Sequence, residues 1–208
     1  MNCGCHGLAS FMSECDCLAP AAPSPVPSRE APAGRAGDWM QTFTGRQYWP
    51  LDPRVDEVDV TDIAEALSKL CRYGGHTRRF YSVAEHCVLL ARSPICPPHY
   101  RLAALMHDAS EGYVVDVIRP IKPYLGGYAE IEHANMVVIA ERYGFAWPMP
   151  PIIKEMDARI LHDERDQAMA YPPADWNVPG APLDVQLQFW SPTRARDEFL
   201  VAFREFSR

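Results

Sequence analysis

The chain has 208 residues, 48% of them hydrophobic and 23% charged, with a formal net charge of −7. Such a composition fills one sizeable core, and the acidic balance excludes a general binder of duplex nucleic acid, which needs a basic face to neutralise phosphate; no stable nucleic-acid partner is expected. A small anionic ligand met by a few local cations stays open. No apolar run approaches the roughly 20 residues that cross a bilayer, so no membrane partner and a cytoplasmic location are expected.

Residues 1–37 read as a separate tail. Cys3, Cys5, His6, Cys15 and Cys17 come first, followed by a stretch rich in Pro, Ala, Gly and Ser that is expected to be a disordered linker. Two C-x-C pairs and a histidine could form a tetrahedral zinc knot. That spacing is not the usual C-x2-C, however, and almost no core surrounds it, so a thiol-bearing tail is the expectation. The tail lacks the charged start and unbroken apolar stretch of a signal peptide. A start codon placed too far upstream is an alternative account. Residues 38–208 form the expected folded domain, in which Cys71, Cys87 and Cys96 read as reduced thiols.

Within that domain, residues 43–48 suggest a short strand or extended arm and residues 61–73 a helix. The segment Leu70 to Phe80 places Arg72, His76, Arg78 and Arg79 around a Gly-Gly turn. Glycine allows close backbone approach and arginine offers a planar fork to phosphate oxygens, so this is a candidate phosphate cradle; its alternative is a loop with solvated cations. Ser82 reads as the N-cap of the next helix, with Glu85 as its capping-box partner. Val83, Cys87, Leu90 and Ala91 give that helix a buried face, and His86 lies beside it. Residues 98–112 suggest a further helix burying Leu102, Leu105, Met106 and Ala109, with His107 and Asp108 adjacent and Gly112 as its breaker. Packed antiparallel across the 93–97 link, the two helices would bring His86 to the His107-Asp108 pair. Beyond them Arg119 and Lys122 could meet a polyphosphate or stiffen a Pro-bounded loop. Helices are expected over 128–143, 152–171 and 192–206, the last capped by Ser191, with an irregular connection over 170–191. The class is all-α.

A neutral imidazole and an adjacent carboxylate suit one divalent cation, though a His-Asp dipeptide alone also arises by chance. More ligands must come from elsewhere in the fold. Asp157, Ile160, Leu161 and Glu164 follow helical spacing, so Asp157 stands on a core-facing stripe, where a carboxylate is costly unless paired or metal-bound. The candidate ligands are therefore His86, His107, Asp108 and Asp157. A mixed His/Asp set does not decide among Zn²⁺, Mn²⁺ and Co²⁺, and Mg²⁺ is also possible.

From about Met40 to Phe206 the chain resembles the HD-domain metal-dependent phosphohydrolases. CRYGGHTRRFYSVAEHCV and MHDASEGYVVDVIRPIKPYL are similar to the small single-domain branch acting on deoxynucleotides, which includes bacterial 5′-deoxynucleotidases and phage dATP triphosphohydrolases. The family motif H…HD…D falls on His86, His107, Asp108 and Asp157. The resemblance implies a single HD-domain helical bundle in which Glu111 and Asp116 position or activate water and Arg72 meets the substrate phosphate. Independently, Glu111 follows His107 by four residues, one helical turn along the same face if the helix continues. Asp116 lies beyond Gly112, where a loop could turn it back over the site; a solvated acid is the alternative for both. His76, Thr77, Arg79 and Lys122 are further candidate substrate contacts. Tyr48, Trp49, Tyr73 and Phe80 could stack on a base or belong to the core. The segment RYGGHTRRFYSVAEH is closer to the phage form, so the expected activity is release of deoxynucleoside and triphosphate from a dNTP, dATP in particular. The alternatives are a 5′-deoxynucleotidase on dNMPs and a non-catalytic nucleotide-binding regulatory module. A homo-oligomer is expected.

Overall fold

The computed structural model describes residues 34–208, and the cysteine cluster and most of the expected linker lie outside the described residues. A two-stranded antiparallel ribbon, β1 (Met40–Gln41) and β2 (Gln47–Tyr48), precedes seven α-helices. Only Gln47 and Tyr48 of the expected 43–48 strand pair, because Thr42 to Arg46 make the turn between the strands. Arg35, from the expected tail, is nevertheless packed: its guanidinium lies 3.8 Å over the Trp49 ring and pairs with Asp52 at 3.1 Å and with Glu57.

Helix α1 (Val60–Lys69) starts where the Asp59 carboxylate accepts the Thr61 N–H at 2.8 Å. It ends short of the expected residue 73 because Cys71 bridges Ser82, with the Arg72 N–H donating to the Tyr81 carbonyl and the Val83 N–H to that of Leu70. This pairing draws the chain out of the helix and leaves Arg72–Gly75 as a tight turn in which Tyr73, Gly74 and Gly75 are left-handed. Ser82 does cap helix α2 (Val83–Arg92), accepting the Glu85 N–H at 3.1 Å. The Glu85 carboxylate does not complete the expected box. It accepts the N–H groups of Gln188, Phe189 and Trp190 at 2.7, 2.8 and 2.6 Å, tying a distant segment to α2.

The expected helix over 98–112 is broken in two, α3 (Arg101–Leu105) and α4 (Glu111–Val114). Between them the amides of Ala109 and Glu111 bond three residues back, and the His107 Nδ1 reaches the Ala104 carbonyl at 2.8 Å. An α-helix continuing through this point would give that carbonyl to the amide of Asp108. The histidine side chain thus competes with the backbone ladder and helps turn the chain. Gly112 is not the breaker. It lies inside α4, where a Cβ would make an ordinary contact 3.5 Å from the Ile63 Cα of α1. The chain leaves α4 at Val115, in the left-handed region at φ 72°.

Helix α5 (Tyr128–Tyr143) lies between left-handed Gly127 and Gly144, and α6 (Pro151–Ala168) stops where Met169 becomes extended. Helix α7 (Pro192–Phe206) begins at Ser191, which accepts the Arg194 N–H at 3.3 Å. All residues from Tyr81 to Val88 are buried, because α1, α3, α6 and α7 surround α2. The 170–191 connection has no regular structure, as expected, yet it is strapped to α6. Arg159 donates to the Ala181 carbonyl at 2.7 Å, Asp163 accepts the Leu183 N–H at 2.9 Å and Gln167 the Leu187 N–H at 3.0 Å. No helix among the described residues is long and apolar enough to cross a membrane.

Candidate metal centre

His86 projects from the middle of α2, and His107 and Asp108 from the turn between α3 and α4. In each imidazole Nδ1 is already engaged, His86 with Glu164 Oε1 at 2.6 Å and His107 with the Ala104 carbonyl at 2.8 Å. An Nδ1–H donating to an oxygen fixes the neutral tautomer and leaves the Nε2 lone pair free. The two Nε2 atoms face each other at 3.2 Å. Asp157, from α6, places Oδ1 at 3.3 Å from His86 Nε2 and 3.7 Å from that of His107. Asp108 Oδ2 lies 3.8 and 3.2 Å from the same two nitrogens. Two lone pairs cannot hydrogen-bond to each other, so this arrangement calls for a proton or a cation between them, and the flanking carboxylates favour a divalent one. His86, His107 and Asp108 offer donor atoms all within 4.8 Å of one another, a set capable of coordinating a metal ion.

Electrostatics describe the same place. Burial opposes every charge here, yet Glu164, Asp108 and Asp157 raise both imidazoles above their ordinary range, and the protonated rings in turn hold the carboxyls of Asp108 and Asp157 below theirs, so a proton and a cation are alternatives at one place. A site that stabilises two carboxylates beside two imidazoles is built for positive charge.

Behind the imidazoles lies Glu164, fully buried and fully used. Its Oε1 takes His86 Nδ1 and the Tyr81 hydroxyl, the latter at 2.9 Å, while Oε2 takes the Tyr73 hydroxyl and Arg72 Nη2, the latter at 3.1 Å. Burial pushes its carboxyl up, yet Arg72 and His86 together bring it down to about 2. Sequence reasoning placed Glu164 on the apolar stripe of Asp157 and gave it no role. The signal was the one used for Asp157, a carboxylate where only a paired one is tolerated. Arg72 also stands 3.6 Å from Asp108, so it supports the centre as well as facing the cavity beside it.

That cavity has a volume of about 610 Å³, and Asp108 and Asp157 form part of its wall. Glu111 and Asp116 line it too. Glu111 opens α4 and donates its N–H to the Asp108 carbonyl at 3.0 Å, so it reaches the site from a second helix and not from the turn after His107. One of its carboxylate oxygens is buried without a protein partner, and burial, Asp108 and Asp116 raise its carboxyl well above the usual range. Asp116 follows the left-handed Val115, and burial raises it as well.

Arg72, His76, Arg119 and Lys122 supply cationic or polar groups to the lining, with Lys122 also paired to Glu132 at 2.7 Å. Thr77 and Arg79 stand outside it. The Thr77 hydroxyl lies 3.8 Å from the Cys71 sulfur, and the Arg79 guanidinium 4.1 Å over the Phe189 ring. Tyr48 is core, stacked on Tyr113 with centroids 3.8 Å apart, and Trp49 lies under Arg35; neither they nor Phe80 line the cavity. Tyr73 does, and it is joined by a residue the sequence did not single out, Trp176, from the irregular strap.

No family model matches the sequence. The uncharacterized protein YfdR of Escherichia coli (strain K12) is 38% identical over 127 residues, 61% of this chain and 70% of that protein. An uncharacterized protein of Rhodobacter capsulatus is 35% identical over 124 residues, 56% of this chain and 63% of that one, so the match spans less than two thirds of the second relative.

Proposed function

The chain belongs to the family of the Escherichia coli protein YfdR, and from the site's own geometry we propose that it is a divalent-cation-dependent phosphohydrolase of deoxynucleotides, releasing deoxynucleoside and triphosphate from a dNTP, dATP in particular. The observation that carries this reading is the convergence of two imidazole Nε2 atoms on two carboxylates that line a nucleotide-sized cavity, which also holds arginine and lysine. His86, His107, Asp108 and Asp157 would hold the cation, whether Zn²⁺, Mn²⁺, Co²⁺ or Mg²⁺. When bound, it supplies Lewis acidity at a phosphate oxygen and makes water easier to deprotonate.

The chain's own residues account for the remainder. Arg72, Arg119 and Lys122 neutralise phosphate in a partly enclosed site, where each charge acts more strongly than in water. Glu111 lines the cavity next to Asp108 with one carboxylate oxygen free of protein partners, a position suited to proton transfer with water. It can accept the proton of the attacking water as the new P–O bond forms. As the bond from that phosphorus to the 5′ oxygen breaks, a protonated Asp116 would give its proton to the departing deoxynucleoside oxygen, and the proton taken by Glu111 would then restore Asp116.

The test is direct: the purified protein is incubated with each dNTP and dNMP in Mn²⁺, Co²⁺ or Zn²⁺ and the products are separated. Deoxynucleoside with inorganic triphosphate is the expected pair. Inorganic phosphate from dNMPs alone would move the substrate to monophosphates, and nucleotide binding without turnover under every cation would overturn the catalytic reading.

A further inference from the structure

We propose that Trp176 is the nucleobase platform of this cavity, making the 170–191 strap the element that receives the base. The inference rests on the deoxynucleotide reading above.

A nucleotide has a polyanionic end and a flat, weakly polar end, and the cavity wall has groups suited to each. The acidic and cationic side chains at the centre come from the 72–76 turn, the α3–α4 region, the loop after α4 and α6. The strap contributes Trp176, Asn177, Val178 and Pro179, none of them ionisable. Tyr73 relates the two parts. Its hydroxyl is fixed on Glu164, behind the imidazoles, and its ring centroid lies 5.7 Å from the indole of Trp176 at 49°. Trp176 therefore stands beside the Tyr73 ring in the lining that also holds Asp108 and Asp157. The tilt leaves the two rings unstacked, and the half-buried indole has face area to offer a flat ligand.

The strap holds this position through α6, the helix that carries Asp157. The carbonyls of Gly180 and Ala181 are bonded to His162 at 3.0 Å and Arg159 at 2.7 Å, both on α6 just beyond Asp157. Gly180 is left-handed at φ 76°, and a Cβ there would meet the Arg159 side chain at 3.2 Å, so the strap lies directly on the helix. The Asn177 N–H bonds back to the Asp175 carboxylate at 3.0 Å, closing a turn around Trp176 itself. One helix thus sets the position of both a metal-facing carboxylate and the strap that bears the indole.

Base–aromatic stacking is worth a factor of about 5 to 150 in affinity per base. Calorimetric titration of the cation-loaded Glu111→Gln chain, in which hydrolysis is slow, compares a dNTP with inorganic triphosphate, which has no base. Trp176→Ala should weaken dNTP binding by that factor and leave inorganic triphosphate unchanged, and Trp176→Phe should recover most of the loss. Equal weakening of both ligands, no weakening of either, or a chain with Trp176 intact that binds no dNTP overturns the inference. Hydrolysis assays judge the catalytic reading separately: the binding split without turnover would keep the base platform and remove the enzyme.

Discussion

The two walls of the cavity are built on opposite principles. The metal-facing wall comes from the 72–76 turn, the α3–α4 region and α6, with α2 behind it, and its side chains are held by a buried network in which Glu164 carries four partners. The facing material, the loop after α4 and the 170–191 strap, is irregular and more exposed. Val115, Ile118, Ile121 and Tyr124 of that loop all show substantial solvent exposure, Tyr124 as much as 86%. Low dielectric makes every unpaired group in the first wall expensive, so its geometry is over-determined. In the second wall a changed side chain costs less, and variation there alters which ligand fits.

The largest losses are expected at the centre. His107→Ala or Asp108→Ala should abolish both bound metal and turnover while helical circular dichroism is largely kept, as metal analysis and far-ultraviolet spectra would register. Full metal content in either variant would remove the site from these residues. Next comes the acid-base group. Glu111→Gln should keep the cation and the nucleotide but lose about 10²–10⁴ in rate at saturating substrate, measured as kcat beside equilibrium nucleotide binding. Wild-type kcat in that variant would leave Glu111 a mere buried acid.

Glu164 tests the network behind the ligands. Glu164→Gln should weaken metal affinity about 10- to 100-fold, read by metal titration, because the imidazole of His86 loses its charged anchor. It should also alter acid stability. The carboxyl is depressed from 4.5 to about 2 in the folded chain, so its stabilisation is present above pH 4.5 and is lost as pH falls toward 2. In metal-free protein the difference in unfolding free energy between wild type and Glu164→Gln should therefore shrink across that window. An unchanged difference would mean the carboxylate contributes nothing through its charge. Arg72→Ala, which from sequence alone should act on substrate affinity, is expected to weaken metal binding too, since Arg72 bonds to Glu164 and faces Asp108.

The smallest effect sits far from both walls. A chain beginning at Met40 loses Arg35, whose side chain is only 7% exposed between Asp52, Glu57 and Trp49. Loss of that contact should cost about 1–2 kcal/mol and lower Tm by a few degrees relative to a chain beginning at Gly34, with turnover unchanged. Equal melting temperatures would place Arg35 among the exposed pairs that contribute little.

The sequence by itself determined the helical class, most helix starts and the meeting of His86, His107, Asp108 and Asp157. These follow from local rules: Ser82 and Ser191 cap where a hydroxyl precedes a helical pattern, and a carboxylate on an apolar stripe announces a partner. The tertiary structure alone decided what depends on competition between distant groups. Cys71 leaves α1 because Ser82 offers it a bridge, Glu85 spends its carboxylate on three amides about a hundred residues away, and the His107 imbalance between ring and backbone turns the chain before α4. Trp176 reaches the cavity only because α6 binds the strap that carries it. Periodicity records which face of an element is buried, but a buried polar group chooses its partner by proximity in space, and that choice exists only once the helices have packed.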